Sequence, residues 1–320
     1  MIITLTTFLC GLLLLVAGAE GLVRGASALA LRLGVSPLLI GLTVVAFGTS
    51  APELAVSVEA ALNDNSSIAL GNIVGSNIAN IALILGLAAL IQPMRVQSSL
   101  LTQQIPIMIG VSALLWVLLL DQTLGFWDGV LLLGGIIVYV IFSYRHAGVV
   151  GLEVNLPIEA APLPAGGTAL LSNMGFCLLI ITLGLIALVS GGSLLVDSAV
   201  EIAQRFNVSE TLVGLTIVAV GTSLPELATS LVAAVRKQDD IAIGNIVGSN
   251  IFNILGILGL ASILHPISSA GFAQTDFVVM LLLAVLLLPL AWTGRRLGRM
   301  EGLVLLAAYV AYVYYLLLKT

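Results

Sequence analysis

The chain has 320 residues, of which 60% are hydrophobic and 8% charged, with a formal net charge of −5. No water-soluble domain of this length has that composition, so the chain reads as an all-α polytopic membrane protein. The charge comes in no block that suggests a nucleic-acid partner. The two cysteines, Cys10 and Cys177, offer neither a disulfide framework nor a thiolate metal site.

A bilayer core takes about 20 apolar residues per helix. On that measure ten membrane helices are predicted, near 3–24, 36–61, 68–90, 101–120, 126–145, 172–200, 209–235, 241–264, 274–293 and 301–318. In the first run, Ala17-Gly18-Ala19 follows a Leu-rich stretch as a leader cleavage site would. The run lacks a basic segment before it and has a repeat partner in the sixth run, so it reads as a membrane helix.

The second run carries GLTVVAFGTSAPELAVSVEA from Gly41, and the seventh carries GLTIVAVGTSLPELATSLVA from Gly214, an offset of 173 residues. The third run carries GNIVGSNIANIALILGLA from Gly71, and the eighth carries GNIVGSNIFNILGILGLA from Gly244 at the same offset. Asp128-Gly129 matches Glu301-Gly302, Tyr139-Val140 matches Tyr312-Val313, and Gln92-Pro93 falls on His265-Pro266. Residues 1–147 therefore overlay 174–320, and 148–173, rich in Pro, Gly and acidic residues, reads as the linker.

Five runs per half is an odd number, so the second half must enter the membrane from the opposite side. Loop charge sets the orientation. With both termini outside, the inner loops hold Arg24, Arg32, Arg95, Arg145, Arg236, Lys237, Arg295, Arg296 and Arg299, leaving only Arg205 and Lys319 outside. The positive-inside rule selects that arrangement, with a cytoplasmic linker, in a cell membrane (plasma or bacterial inner). The expected fold is ten transmembrane helices in two inverted five-helix repeats, with broken helices at an ion site near the midplane.

Each copy of the first motif places one carboxylate, Glu53 or Glu226, in an apolar run. A charge there costs about 2.5–3.5 kcal/mol on insertion scales, so it marks a functional site by default. Pro52 cannot donate a backbone hydrogen bond and its ring clashes with the carbonyl of Gly48. A break near Thr49 is expected, freeing carbonyls such as those of Val45 and Ala46. Thr49 and Ser50 add hydroxyls. Thr222, Ser223, Pro225 and Glu226 repeat every element.

In the second motif Asn72, Ser76 and Asn80 are four apart and share a helix face, as do Asn245, Ser249 and Asn253. The inventory is carboxylate, hydroxyl, amide and carbonyl oxygen. That set suits Ca²⁺, Na⁺, Mg²⁺ or Mn²⁺ and disfavours softer metals.

The paired GTSxPE and GNxxGSNIxNI segments resemble the α-repeats of the sodium/calcium exchanger branch of the cation/calcium antiporter superfamily. The resemblance implies antiport of Ca²⁺ against Na⁺ by alternating access, with no cofactor and no obligate protein partner. It implies that Glu53 and Glu226 are the central Ca²⁺ ligands. Thr49, Ser50, Thr222, Ser223 and the backbone oxygens of Ala46 and Ala219 would line the same sites, and Ser76, Asn80, Ser249 and Asn253 would complete the ring. Some relatives carry Asp where this chain has Asn253. The proton-coupled branch carries a carboxylate in its GNxxE motif, where Gly75 and Gly248 stand here.

The alternatives are a potassium-dependent or proton-coupled exchanger, and a passive cation channel. An intramembrane enzyme is a further rival, but the runs offer no nucleophile or histidine set to go with the acids. Asp128 and Glu301 are expected to start helices. Glu59, Asp64, Asp197 and Glu201 read as solvated helix ends, and His146 and His265 as loop residues without a role.

Overall fold

The computed structural model describes residues 2–150, 173–205, 219–270 and 272–319. Most of the expected linker, 151–172, and the first part of the seventh run lie outside the described residues.

Helix α1 spans Ile2–Leu33. The second run divides into α2, Pro37–Thr49, and α3, Ala51–Leu62, which meet at a bend of 48°. Then follow α4 (Ser66–Ile91), α5 (Leu100–Asp121), α6 (Phe126–Val150) and α7 (Met174–Arg205). A helical turn at Ala219–Gly221 leads to α8, Leu224–Val235, and then to α9 (Asp239–Leu264), α10 (Gln274–Trp292) and α11 (Arg299–Lys319). Among the described residues eight helices are long and apolar enough to cross a membrane, and the bent pair makes a ninth. The chain is an integral, multi-pass membrane protein, and its described residues are all-helical apart from four two-residue strands.

The break in the second run falls at Ser50, one residue past the expected place, with φ −81° and ψ 11°. Ser223 takes φ −86° and ψ 8° at the corresponding position before α8. Pro52 and Pro225 are each the second residue of the helix that follows, where a missing N–H costs nothing. Proline thus both ends one helix and starts the next. The freed carbonyls do not all stay free: Ala46 O accepts the amide of Ser50 at 3.1 Å. The last turn of α2 is completed before the chain bends, which corrects the expectation for that oxygen.

Helices α4 and α9 form the centre. Buried residues make up 78% and 83% of their apolar windows, against 11% for α11, so the second motif runs through the middle of the bundle. Each holds one π-helical segment, Ala79–Ile84 in α4 and Asn253–Leu258 in α9. Such widened turns gather at functional sites. Asp128 Oδ2 accepts from Gly125 N at 2.8 Å and Glu301 Oε2 from Gly298 N at 2.9 Å, so both acids cap helix starts as expected. His146 is not in a loop but near the end of α6, where its ring meets Phe142. His265 lies between α9 and α10, 3.2 Å from Asp64.

The two halves of the sequence are knitted by equivalent elements. Strand β1 (Met94–Arg95) pairs with β4 (Arg296–Leu297), and β2 (Thr123–Leu124) pairs with β3 (Ile267–Ser268), both antiparallel. By the 173-residue offset β3 is the mate of β1 and β4 of β2. Neither strand pairs with its own mate. Helices α1 and α7 are mates that do pack on each other, with their glycines crossed: Gly11 meets Gly191 and Gly18 meets Gly184, though the offset matches Gly11 with Gly184 and Gly18 with Gly191. A methyl group on Gly18 would stand 2.7 Å from the carbonyl oxygen of Gly184, and one on Gly11 would stand 2.8 Å from that of Gly191. Small residues let backbones approach this closely in a membrane, where packing rather than water drives association.

Gly18→Ala should therefore lower the melting temperature of the detergent-solubilised protein, with an overpacking cost of about 1–3 kcal/mol. Gly110→Ala, whose new methyl group meets nothing within 4 Å, should not. Equal melting temperatures for the two variants would mean that the α1–α7 seam is not close-packed.

Candidate functional site

Glu53 is the third residue of α3 and Glu226 the third of α8. Both are fully buried. The bends place each acid beside the serine that opens the other motif's helix. Ser50 Oγ donates to Glu226 Oε1 at 2.8 Å, and Ser223 Oγ donates to Glu53 Oε1 at 3.1 Å. These bonds are reciprocal under the repeat, and each reaches from one half of the sequence into the other.

The amides of α4 and α9 make a second reciprocal set. Asn77 Nδ2 donates to the backbone oxygen of Asn250 at 3.2 Å, and Asn250 Nδ2 donates to that of Asn77 at 3.3 Å. Their side-chain oxygens then accept from the neighbouring amides. Asn80 Nδ2 donates to Asn250 Oδ1 and Asn253 Nδ2 to Asn77 Oδ1, both at 3.0 Å. An amide has one donor end and one acceptor end. Spending the donor ends of Asn80 and Asn253 on this lattice leaves their oxygens to point elsewhere.

Of the ten buried side-chain polar atoms without a hydrogen-bond partner among the described residues, four are oxygens of these acids and amides: Glu53 Oε2, Glu226 Oε2, Asn80 Oδ1 and Asn253 Oδ1. They come as two repeat-related pairs. A buried acceptor without a partner costs about 1–3 kcal/mol, more when charged. One such atom can be a packing accident, but two carboxylates and two amides in matching positions make a candidate ligand set. Carboxylate and amide oxygens are the ligands of hard cations, and two carboxylates balance one divalent or two monovalent ions.

The remaining expected residues lie around this set. Ser76 Oγ is 3.2 Å from Ser223 Oγ, and Ser249 Oγ reaches the Ala46 oxygen at 3.5 Å. The threonines bond to the first asparagine of the opposite half's second motif. Thr49 Oγ1 lies 3.1 Å from Asn245 Oδ1 and 3.4 Å from the Ala46 oxygen, and Thr222 Oγ1 lies 3.3 Å from Asn72 Oδ1. Ala219 opens the turn Ala219–Gly221, and its surroundings lie outside the described residues.

Several residues of this constellation escape a reading of the sequence for ligands. Asn77 and Asn250 hold the lattice. Asn72 Nδ2 donates to Ser57 Oγ at 2.9 Å and to the Glu53 backbone oxygen at 3.1 Å. Asn245 Nδ2 donates to Ser230 Oγ at 3.0 Å, the mate of the first bond. All six recur in both copies, and that duplication was the signal available.

Buried acids at crossed helix breaks, set among amide and hydroxyl oxygens in an apolar bundle, define a multi-pass membrane protein with a candidate hard-cation site. Comparison with known proteins narrows the class. The sequence pattern described as sodium/calcium exchanger protein matches residues 3–145 and again 176–318. The chain is 40% identical to the putative antiporter CaxA of Alkalimonas amylolytica over 99% of both chains. It is 36% identical to the sodium/calcium exchanger MaX1 of Methanosarcina acetivorans, over 95% of this chain and 96% of that one. The solved structure of the sodium-calcium exchanger NCX_Mj superimposes with a TM-score of 0.84 at 33% identity, over 98% of this chain and 99% of that one. The chain belongs to the sodium/calcium exchanger family, a family of transporters rather than enzymes.

If the lattice orients the free oxygens, Asn77→Ala should fold and yet weaken divalent-cation binding by about 10–100-fold, the usual loss when a residue behind a metal ligand is removed. Isothermal titration with CaCl₂ measures it. Binding at parental affinity would assign Asn77 to packing alone.

Proposed function

We propose that the protein is a secondary active antiporter that exchanges Ca²⁺ for Na⁺ by alternating access. The observation that carries this reading is the set of four buried, unpaired oxygens contributed symmetrically by both halves. The names of MaX1 and NCX_Mj, both sodium/calcium exchangers, support Na⁺ as the driving ion. Gly75 and Gly248, standing where the proton-coupled branch has a carboxylate, point the same way.

In this reading Glu53 and Glu226 are the central ligands, shared by Ca²⁺ and Na⁺. Asn80 and Asn253 supply amide oxygens, while Ser50, Ser223, Ser76, Ser249, Thr49, Thr222 and the backbone oxygens of Ala46 and Ala219 complete the surroundings. Because both ions need the same two acids, they compete. Occupancy satisfies oxygens that otherwise repel one another, so the loaded protein changes access more readily than the empty one.

The architecture that suits such a cycle is ten spans in two inverted five-helix repeats, 1–147 and 174–320, joined by the linker 148–173. The exchanged pairing of mates supports inversion. Strand β1 follows the third span and pairs with β4, which follows the ninth, so the loops after two odd-numbered spans share a face. Strand β2 follows the fourth span and pairs with β3, which follows the eighth. Equivalent loops then lie on opposite faces. The face of β1 and β4 gathers Arg95, Arg295, Arg296 and Arg299, and we assign it to the cytoplasm of a cell membrane, with both termini outside.

In proteoliposomes an outward Na⁺ gradient should drive Ca²⁺ inward, and Glu53→Gln or Glu226→Gln should nearly abolish that uptake in folded protein. If three Na⁺ leave per Ca²⁺, each cycle exports one net positive charge, and an inside-positive potential should speed uptake by the equivalent of about 2.3 kcal/mol per 100 mV. Uptake of ⁴⁵Ca²⁺ under imposed ion and K⁺-diffusion potentials measures both. Uptake indifferent to Na⁺ would defeat the sodium-coupled reading, and Ca²⁺ flux without any exchange ion would favour a channel.

Asn253→Asp tests the charge of the site. The carboxylate would lack the N–H that Asn77 Oδ1 accepts and would add a third acid near Glu53 and Glu226. When protonated, the new carboxyl group could donate to Asn77 as the amide does. Transport by this variant should therefore stay near the parent's at low pH and depart from it as pH rises and the new acid ionises. A pH profile identical to the parent's would place residue 253 outside the ion site.

A further inference from the structure

The molecule is closely symmetric at its centre but not at its ends. Glu20, on α1, takes a forked contact from Arg236, the residue that follows the Glu226-bearing helix α8. Arg236 Nη2 lies 2.8 Å from Glu20 Oε1, and Arg236 Nε donates to Glu20 Oε2 at 3.1 Å. Arg24, one turn along α1, lies 2.5 Å from the same carboxylate. A planar guanidinium held at two points fixes direction as well as distance.

The repeat mates of these three residues cannot reproduce the bond. Glu20, Arg24 and Arg236 correspond to Ser193, Asp197 and Asn63. Asn63 turns back on its own helix instead, with Nδ2 donating to the Glu59 backbone oxygen at 3.0 Å. Among the described residues the Glu53-bearing helix α3 therefore ends without a charged tie to α1 or α7, while α8 ends with one. Among the described residues the α1–α7 pair, close-packed on itself through Gly11, Gly18, Gly184 and Gly191, has a charged tie to the end of α8 and none to the end of α3.

We propose that Glu20 and Arg236 form a one-sided latch, which holds α1 against the end of α8 while the site is closed to that face and parts when the site opens there. The proposal rests on the antiport reading, in which access to Glu226 must alternate. Both acids have no exposed surface, so the arrangement described is closed to both faces. Helix α8 leads from Glu226 to the Arg236 face, and α1 packs on it, with Glu20 meeting Arg236 at that end. Parting them means breaking the fork. The Asn63 face opens without that cost, so the latch biases the protein toward access from that side. Arg236 and Glu20 touch no transported ion, and their effect is positional.

The apparent affinity for an ion scales with the fraction of protein open to it. Removing a partly exposed ion pair should raise that fraction about two- to tenfold on one face and leave the other unchanged. Glu20→Gln and the exchanged pair Glu20→Arg with Arg236→Glu, in the full chain in proteoliposomes, test this. Two readouts are needed. One is the KM for Ca²⁺ presented at each face under a Na⁺ gradient. The other is labelling by an impermeant maleimide of Thr229→Cys, one turn from Glu226 toward Arg236, with Cys10 and Cys177 replaced.

Glu20→Gln should lower KM and speed labelling from the Arg236 face alone, and the exchanged pair should restore both. Unchanged values, equal changes at both faces, or no restoration by the exchanged pair would overturn the latch. A parent protein without Na⁺-driven Ca²⁺ uptake would instead defeat the antiport reading, and the labelling rates would still report on the latch.

Discussion

Each buried carboxylate is held by a serine from the other half of the chain, and the rest of the structure depends on that exchange. Ser50 reaches Glu226 and Ser223 reaches Glu53, so neither half completes its own site. For the bonds to form, both helices must break one turn before the acid, and both breaks must face each other. Proline at the second position of the following helix supplies the break. Glycines along the α1–α7 seam and in the central motifs supply the approach. An ionised pair in an apolar bundle is costly, and a fold that brings two together needs a compensating charge. In the proposed function a hard cation supplies it.

The amide lattice between α4 and α9 plays a different part. Asn77 and Asn250 bond to each other's backbones, so the two central helices are fixed at the level of the acids. The lattice also orients Asn80 and Asn253, because an amide whose N–H is held presents its oxygen on the opposite side. Neutral oxygens placed this way add ligands without adding charge. In the proposed function the ligand set would carry two negative charges with both acids ionised, the physical basis for competition between one divalent and two monovalent ions.

Much of this was legible in the sequence because the sequence states it twice. Glu53 with Pro52 and Glu226 with Pro225 show the breaks and the acids, and the break at Ser50 falls within a residue of its expected place. What escaped depends on partners far away in the chain. Ser76 and Asn80 share a helix face by spacing, but Asn77 lies off that face, and its role appears only when Asn250 stands opposite. The π-helical segments at Ala79–Ile84 and Asn253–Leu258 carry no residue pattern that sets them apart from the α-helix around them. The two-residue strands are too short to leave a pattern. The Ala46 oxygen was expected to be free because proline removes one donor, but Ser50 N reaches it before the chain bends.

The central claim is that the four unpaired oxygens bind one cation between the two halves. Anomalous diffraction from crystals soaked in a heavier divalent cation such as Sr²⁺ tests it most directly. The account predicts a single strong peak between Glu53 and Glu226, about 2.3–2.6 Å from their free oxygens, allowing slightly more for the larger ion, and within reach of the Asn80 and Asn253 amides. A peak elsewhere, or none at saturating cation, would contradict it.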